Sequence, residues 1–160
     1  MHPNEHLIHG FYTCFKQLDA KGMIACYTPD IEFTDPVFTD LQGEEVGAMW
    51  HMLGSRAKKF SLNFRDVNAD ANRGSAHWEA TYQFSKTGRM VTNVIDAEFE
   101  FRDGLIVRHR DRFSFWRWAR QALGAPGLLL GWTPMLRAKV QGEARKNLEQ
   151  FMASRGPAKS

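Results

Sequence analysis

MVTNVIDAEFEFRDGLIVRHRDRFSF, residues 90–115, decides the fold. It reads as two strands joined at Asp103-Gly104, a dipeptide that favours a two-residue hairpin turn. Counting outward from that turn pairs Arg102 with Leu105. It then sets Glu98 opposite His109, Asp96 opposite Asp111 and Val94 opposite Phe113. Side chains alternate faces along a strand, so these six are expected on one face. The other face is expected to carry Ile95, Ala97, Phe99 and Phe101 beside Ile106, Arg108, Arg110 and Arg112. Two carboxylates held opposite one another repel. If their face is enclosed, one aspartate keeps a proton near neutral pH, and the hairpin becomes a site for acid–base chemistry. The alternative is a solvated polar face with the apolar side as core.

Working outward, the residues before the hairpin alternate like strands. Phe60, Leu62 and Phe64 do so, then Trp78, Ala80, Tyr82 and Phe84, with turns at Asn72-Arg73-Gly74 and Lys86-Thr87-Gly88. Further upstream the spacing becomes helical. Leu7, Ile8, Phe11, Tyr12, Phe15 and Leu18 give an amphipathic helix over 4–19. A short second helix is expected over 22–27, and Ile31–Thr34 reads as a short strand. Residues 43–58 read as a third helix, with acids in its first turn and bases in its last, as the helix dipole favours. Helices first and antiparallel strands after predict an α+β fold, with the helices packed on a curved sheet.

Beyond Phe115 the character changes. FWRWARQAL reads as a helical continuation, GAPGLLLGWTP as a Gly/Pro-broken apolar loop, and Met135–Met152 as a basic helix. The final GPAKS is expected to be disordered. Residues 1–115 hold 13 Lys+Arg and 16 Asp+Glu, a net of −3, whereas residues 116–160 hold 8 and 2, a net of +6. A basic tail of this kind suits nucleic acid, an anionic membrane or the acidic body of its own domain. The last is expected here, with residues 1–115 as a domain and 116–160 as an extension packed on it. The acidic body speaks against nucleic acid as a partner.

Several chemistries find no support. Cys14 and Cys26 lack redox-motif and zinc-ligand spacing. His2, His6 and His9 share a helical face, but no acidic or cysteine ligand accompanies them, so no metal is expected. There is no glycine-rich phosphate loop or nucleophile elbow, and no organic cofactor is expected. No apolar run reaches the length of a membrane span. The N-terminus lacks the pattern of a signal peptide, so a cytoplasmic protein without integral membrane contact is expected.

The order of these features, with the phrases YTPDIEFTDP, Gly43-Glu44 and RHRDRFSF, resembles the nuclear transport factor 2-like superfamily. The closest likeness within it is to the SnoaL-like and ketosteroid isomerase-like branch. The resemblance covers about residues 4–115. It implies a cone-shaped curved antiparallel sheet wrapped around three N-terminal helices and enclosing an apolar pocket, to which this chain adds a basic helical extension. It also implies a homodimer. The expected outer hairpin face, with Ile95, Ala97, Phe99 and Phe101, would be the contact.

Site residues follow from the resemblance position by position. In ketosteroid isomerases the base is the aspartate of an EDP-like phrase, matched by Asp35 in FTDP. The protonated aspartate of a VID phrase is matched by Asp96. The partner tyrosine's position is held by Cys14, with Tyr12 about half a helical turn away. Limonene epoxide hydrolases carry a WRDYF-like phrase, matched in HRDRF at Asp111, with their second aspartate at Asp96. Their remaining positions are Val94, Phe33 and Asp35 here. SnoaL-like cyclases use an aspartate on the last strand as base, matched by Asp111 with His109 two residues earlier. The resemblance thus implies Asp35, Asp96, His109 and Asp111 as catalytic residues. Tyr12, Phe33, Trp50, Trp78, Tyr82, Val94, Phe113 and Phe115 would line the substrate pocket. The implied activity is isomerase or cyclase chemistry beside a carbonyl on a small hydrophobic molecule, polycyclic or polyketide-like. Alternatives are a non-catalytic binder of such a molecule and an epoxide hydrolase of the limonene type.

Overall fold

The computed structural model describes residues 1–155; the disorder expected of GPAKS lies outside them. Helix α1 (Pro3–Lys16) has proline at its first position. His2 caps it, with its Nδ1 accepting from the Asn4 amide at 3.0 Å. Ile8, Phe11, Tyr12 and Phe15 form its buried face. Asp19 caps α2 (Ala20–Ile24), which ends before the expected boundary. Tyr27, expected to close that helix, instead opens β1 (Tyr27–Thr34). The β-branched and aromatic composition of that segment suits a pleated, half-buried surface better than a helix. After β2 (Leu41–Gln42) come α3 (Glu44–Arg56), β3 (Ser61–Ala69), β4 (Arg73–Gln83), β5 (Met90–Arg102) and β6 (Leu105–Arg112).

The strands form one six-stranded sheet in the order β2-β1-β6-β5-β4-β3. Neighbours run antiparallel except β1 and β6, which are parallel. The α+β architecture is that of a curved sheet with helices on its inner face. Between sheet and helices lies the core, in which Phe11, Tyr12, Phe33, Phe99 and Ile106 are fully buried. Burial of each phenylalanine or isoleucine among them contributes about 1.5–3 kcal/mol.

The central hairpin corrects the expected register. Asp103 and Gly104 do form the turn, with φ of 52° and 79°, and Arg102 does pair with Leu105. A bulge then intervenes. Phe101 pairs with Ile106 but Glu100 pairs with Arg108, so Val107 has no partner of its own. From there the register moves by one: Phe99 faces His109, Ala97 faces Asp111 and Asp96 faces Arg112. A one-residue slip exchanges the faces of a strand. Ile95, Ala97, Phe99 and Phe101 therefore join His109 and Asp111 inside, each 7% exposed or less. Val94, Asp96 and Glu98 point outward beside Arg110 and Arg112. The apolar outer patch expected to form a homodimer contact is absent from this hairpin.

The C-terminal extension consists of three helices with short breaks between them. Helix α4 (Phe115–Leu123) is capped by Ser114, and it buries Trp118, Ala119 and Ala122 against Val91 of β5. The expected apolar loop contains a further short helix, α5 (Ala125–Leu130). Thr133 and Pro134 start α6 (Pro134–Ser154). That helix buries Leu148 and ties itself to the cone by polar contacts. Arg145 pairs with Glu45 at 2.6 Å, Glu143 with Lys86 at 2.7 Å, and Gln141 Nε2 donates to the Pro36 carbonyl at 3.0 Å.

Candidate functional site

The sheet, helices α2 and α3, and helices α4 and α6 of the extension surround a cavity of about 670 Å³. Its wall is largely aromatic, with Trp50 from α3, Trp78 and Tyr82 from β4, Phe113 after β6 and Trp118 from α4. Three carboxyl groups line it, those of Asp35, Asp111 and Glu143. Glu143 is paired with Lys86 at 2.7 Å, which leaves Asp35 and Asp111 without a lysine or arginine partner among the described residues.

Asp35 directly follows β1 and begins a tight turn. Its Oδ1 accepts from the amides of Val37 at 2.7 Å and Phe38 at 2.6 Å, and its own amide donates to the Phe38 carbonyl at 2.8 Å. The side chain is half-buried and lines the cavity. Burial pushes its carboxyl up to about 7. The two amide donors oppose that rise, and the negative charge of Asp111 adds to it.

Asp111 is held differently. Its Oδ1 lies 2.9 Å from His109 Nε2 and 3.4 Å from Trp78 Nε1. Behind it runs a buried chain of donors. Trp50 Nε1 donates to the Tyr27 hydroxyl at 3.0 Å, and that hydroxyl lies 2.8 Å from His109 Nδ1. With Tyr27 donating onward to Nδ1, the imidazole proton sits on Nε2 and points at Asp111. The ring is caged by Phe99 at 4.6 Å and Phe33 at 5.0 Å between centroids. Asp111 makes its contacts to His109 and Trp78 through Oδ1, and Oδ2 has no hydrogen-bond partner among the described residues.

Tyr82 supplies a third polar group. Its hydroxyl accepts from Trp118 Nε1 at 2.9 Å, and burial pushes it up to about 12. The phenol thus stays protonated, with its own hydrogen uncommitted. Asn93 of β5, paired with Ala80 through the sheet, also lines the cavity, and its side chain has no hydrogen bond to the described residues.

Of the residues expected at the site, Asp35, Asp111, Trp50, Trp78, Tyr82 and Phe113 meet at the cavity. Asp96 and Val94 do not, because the bulge turns them outward; Asp96 accepts from exposed-face His77 at 2.9 Å. His109 stands behind Asp111 rather than in the cavity. Tyr12 and Phe33 are buried in the core, and the Tyr12 hydroxyl has no hydrogen-bond partner. Phe115 is the first residue of α4 and packs against Trp118. Sequence reasoning missed Tyr27, Asn93 and Trp118. Asn93 carried a signal, since it is polar in the apolar phase of β5, between Val91 and Ile95.

A family model described as a SnoaL-like domain matches residues 8–109. A search of the curated proteins finds no match. Among solved structures, an NTF2-like protein of unknown function from Burkholderia pseudomallei superposes with a TM-score of 0.67 at 17% identity. It covers 77% of this chain and 99% of its own. A putative polyketide cyclase from Xanthomonas campestris pv. campestris gives 0.62 at 19%, covering 75% and 96%. An LEH-like epoxide hydrolase from M. tuberculosis gives 0.64 at 17%, covering 79% and 92%. At these identities the likeness is one of fold.

Proposed function

The chain belongs to the SnoaL-like domain family, and from that premise we propose that it is an enzyme of carboxylate acid–base chemistry beside a carbonyl. Its substrate would be a small, flat, hydrophobic molecule held in the aromatic cavity. The observation that carries this reading is the pair of carboxyl groups, Asp35 and Asp111, in one apolar cavity with contrasting environments. Environments that separate two carboxyl groups assign them opposite roles. Asp111, oriented by His109 and Trp78, is the base that takes a proton from the carbon next to the carbonyl. Asp35, protonated up to about pH 7, is the acid. Its O–H and that of Tyr82 donate to the oxygen on which enolate charge develops. The carbanion equivalent then takes up a proton elsewhere, as in an isomerase, or closes a ring onto a second carbonyl, as in a cyclase. The general base supplies about 10²–10⁴-fold of the acceleration.

The test is exchange of solvent deuterium into 2-tetralone, a flat bicyclic ketone with acidic C–H bonds beside its carbonyl. The wild-type protein is expected to accelerate exchange over buffer, with the rate falling as pH rises through about 7, where Asp35 loses its proton. Asp111→Asn is expected to abolish the acceleration. Ketone binding without any exchange would instead support a non-catalytic binder in the same cavity.

A further inference from the structure

We propose that the tip of the C-terminal extension, from Leu128 to Met135, is a docking surface for an anionic lipid bilayer. Leu128, Leu129 and Leu130 are 51–67% exposed, Trp132 is 73% exposed and Met135 83%. Five large apolar side chains within eight residues thus stand in solvent. Isolated exposed apolar residues are ordinary, but a contiguous group marks a contact surface.

The group is held in place by its backbone. Gly127 lies so close to α4 that a Cβ there would stand 2.0 Å from the Ala119 carbonyl oxygen. Trp116 Nε1 donates to the Leu128 carbonyl at 3.2 Å and Trp132 Nε1 to the Leu129 carbonyl at 3.0 Å. The apolar side chains are presented outward on a braced turn.

Charge selects the occupant. No Asp or Glu occurs from Ser114 to Gly142, whereas Arg117, Arg120, Arg137 and Lys139 do. All four cations are exposed, and none forms an ion pair among the described residues. Arg120 lies over the Trp116 ring at 4.9 Å and Arg137 over Phe115 at 5.9 Å. An apolar tip with an interfacial tryptophan and a collar of unpaired cations matches the boundary between acyl chains and anionic headgroups. Nucleic acid would meet the cations but leave the leucines in water. Among the described residues no helix is long and apolar enough to cross a membrane, so the contact is peripheral. This inference does not depend on the chemistry assigned to the cavity.

The test is co-sedimentation of the full chain with vesicles of phosphatidylcholine, with and without phosphatidylglycerol. Binding is expected to the anionic vesicles, much weaker binding to the neutral ones, and a fall as salt rises. Leu129→Ser with Trp132→Ser is expected to abolish it. Arg137→Gln with Lys139→Gln is expected to weaken it at least about tenfold. All four positions are exposed, and an unchanged circular dichroism spectrum will show that the variants fold. Equal binding to both vesicle types, or no loss in the variants, would overturn the proposal. So would an absence of vesicle binding together with self-association that Trp132→Ser removes, since the occupant would then be a second copy of the chain.

Discussion

Asp35 shows how one residue can serve two demands that conflict. Its Oδ1 closes the turn after β1 by accepting two backbone amides, yet the cavity beside it disfavours the charged form. With the carboxyl raised from 3.8 to about 7, the sign of the stability effect is fixed. Between those values the folded protein keeps a proton that the unfolded chain has released. Stability therefore falls as pH rises across that window and levels off above it, at a cost of at most about 4 kcal/mol. Asparagine keeps the Oδ1 acceptor and removes the charge. Asp35→Asn is thus expected to raise the melting temperature clearly at pH 8 and far less at pH 4. A variant no more stable than wild type at pH 8 would show that the cavity does not penalise the charge. The phrase FTDP drew attention to Asp35, but its environment was not legible, because Trp118 and α6, which help enclose the cavity, come from a segment with no counterpart in the resemblance.

At the scale of elements, the turn was legible and the bulge was not. Asp103-Gly104 has the positive φ values that its composition demands. Counting from it failed at Val107, the last of the apolar run Leu105-Ile106-Val107, which nothing local marks as extra. The neighbouring strands did hold the answer. In β5 the phase Ile95, Ala97, Phe99, Phe101 is apolar and the phase Asp96, Glu98, Glu100 acidic; in β6 the arginines occupy one phase and His109 and Asp111 the other. Those inner phases coincide only if one residue is added between turn and site. Burial sets register more strongly than turn counting does. The α4–α5 contact was hidden for a different reason. A glycine next to proline reads as a loop, and only the close approach of Gly127 to Ala119 shows that it lets two helices meet. Gly127→Ala is expected to cost about 1–3 kcal/mol in thermal unfolding. Gly142→Ala on α6, where a Cβ meets nothing within 4 Å, is expected to stabilise by about 0.5–1 kcal/mol. Equal effects at the two positions would mean that α5 is not seated on α4.

Over the whole molecule, the site is a joint product of cone and extension. The sheet supplies Asp111, Tyr82 and Trp78, and the turn after β1 supplies Asp35. The extension adds Trp118, which fixes the Tyr82 hydroxyl, and Val140, Ala144 and Asn147 of α6, which complete the wall. Burial in this cavity, built from elements distant in sequence, raises the Asp35 carboxyl, whereas it is the bulge at Val107 that turns Asp96 outward and leaves Asp35 rather than Asp96 to share the cavity with Asp111. Carbon-13 NMR titration of the aspartate carboxyl groups in the full chain tests that assignment most directly. The Asp35 resonance, identified by its loss in Asp35→Asn, is expected to titrate at about 7 and to move to lower pH in Asp111→Asn, which removes the neighbouring charge. Titration of Asp35 near the ordinary aspartate value of about 4, unaffected by Asp111→Asn, would contradict the enclosed acid–base pair.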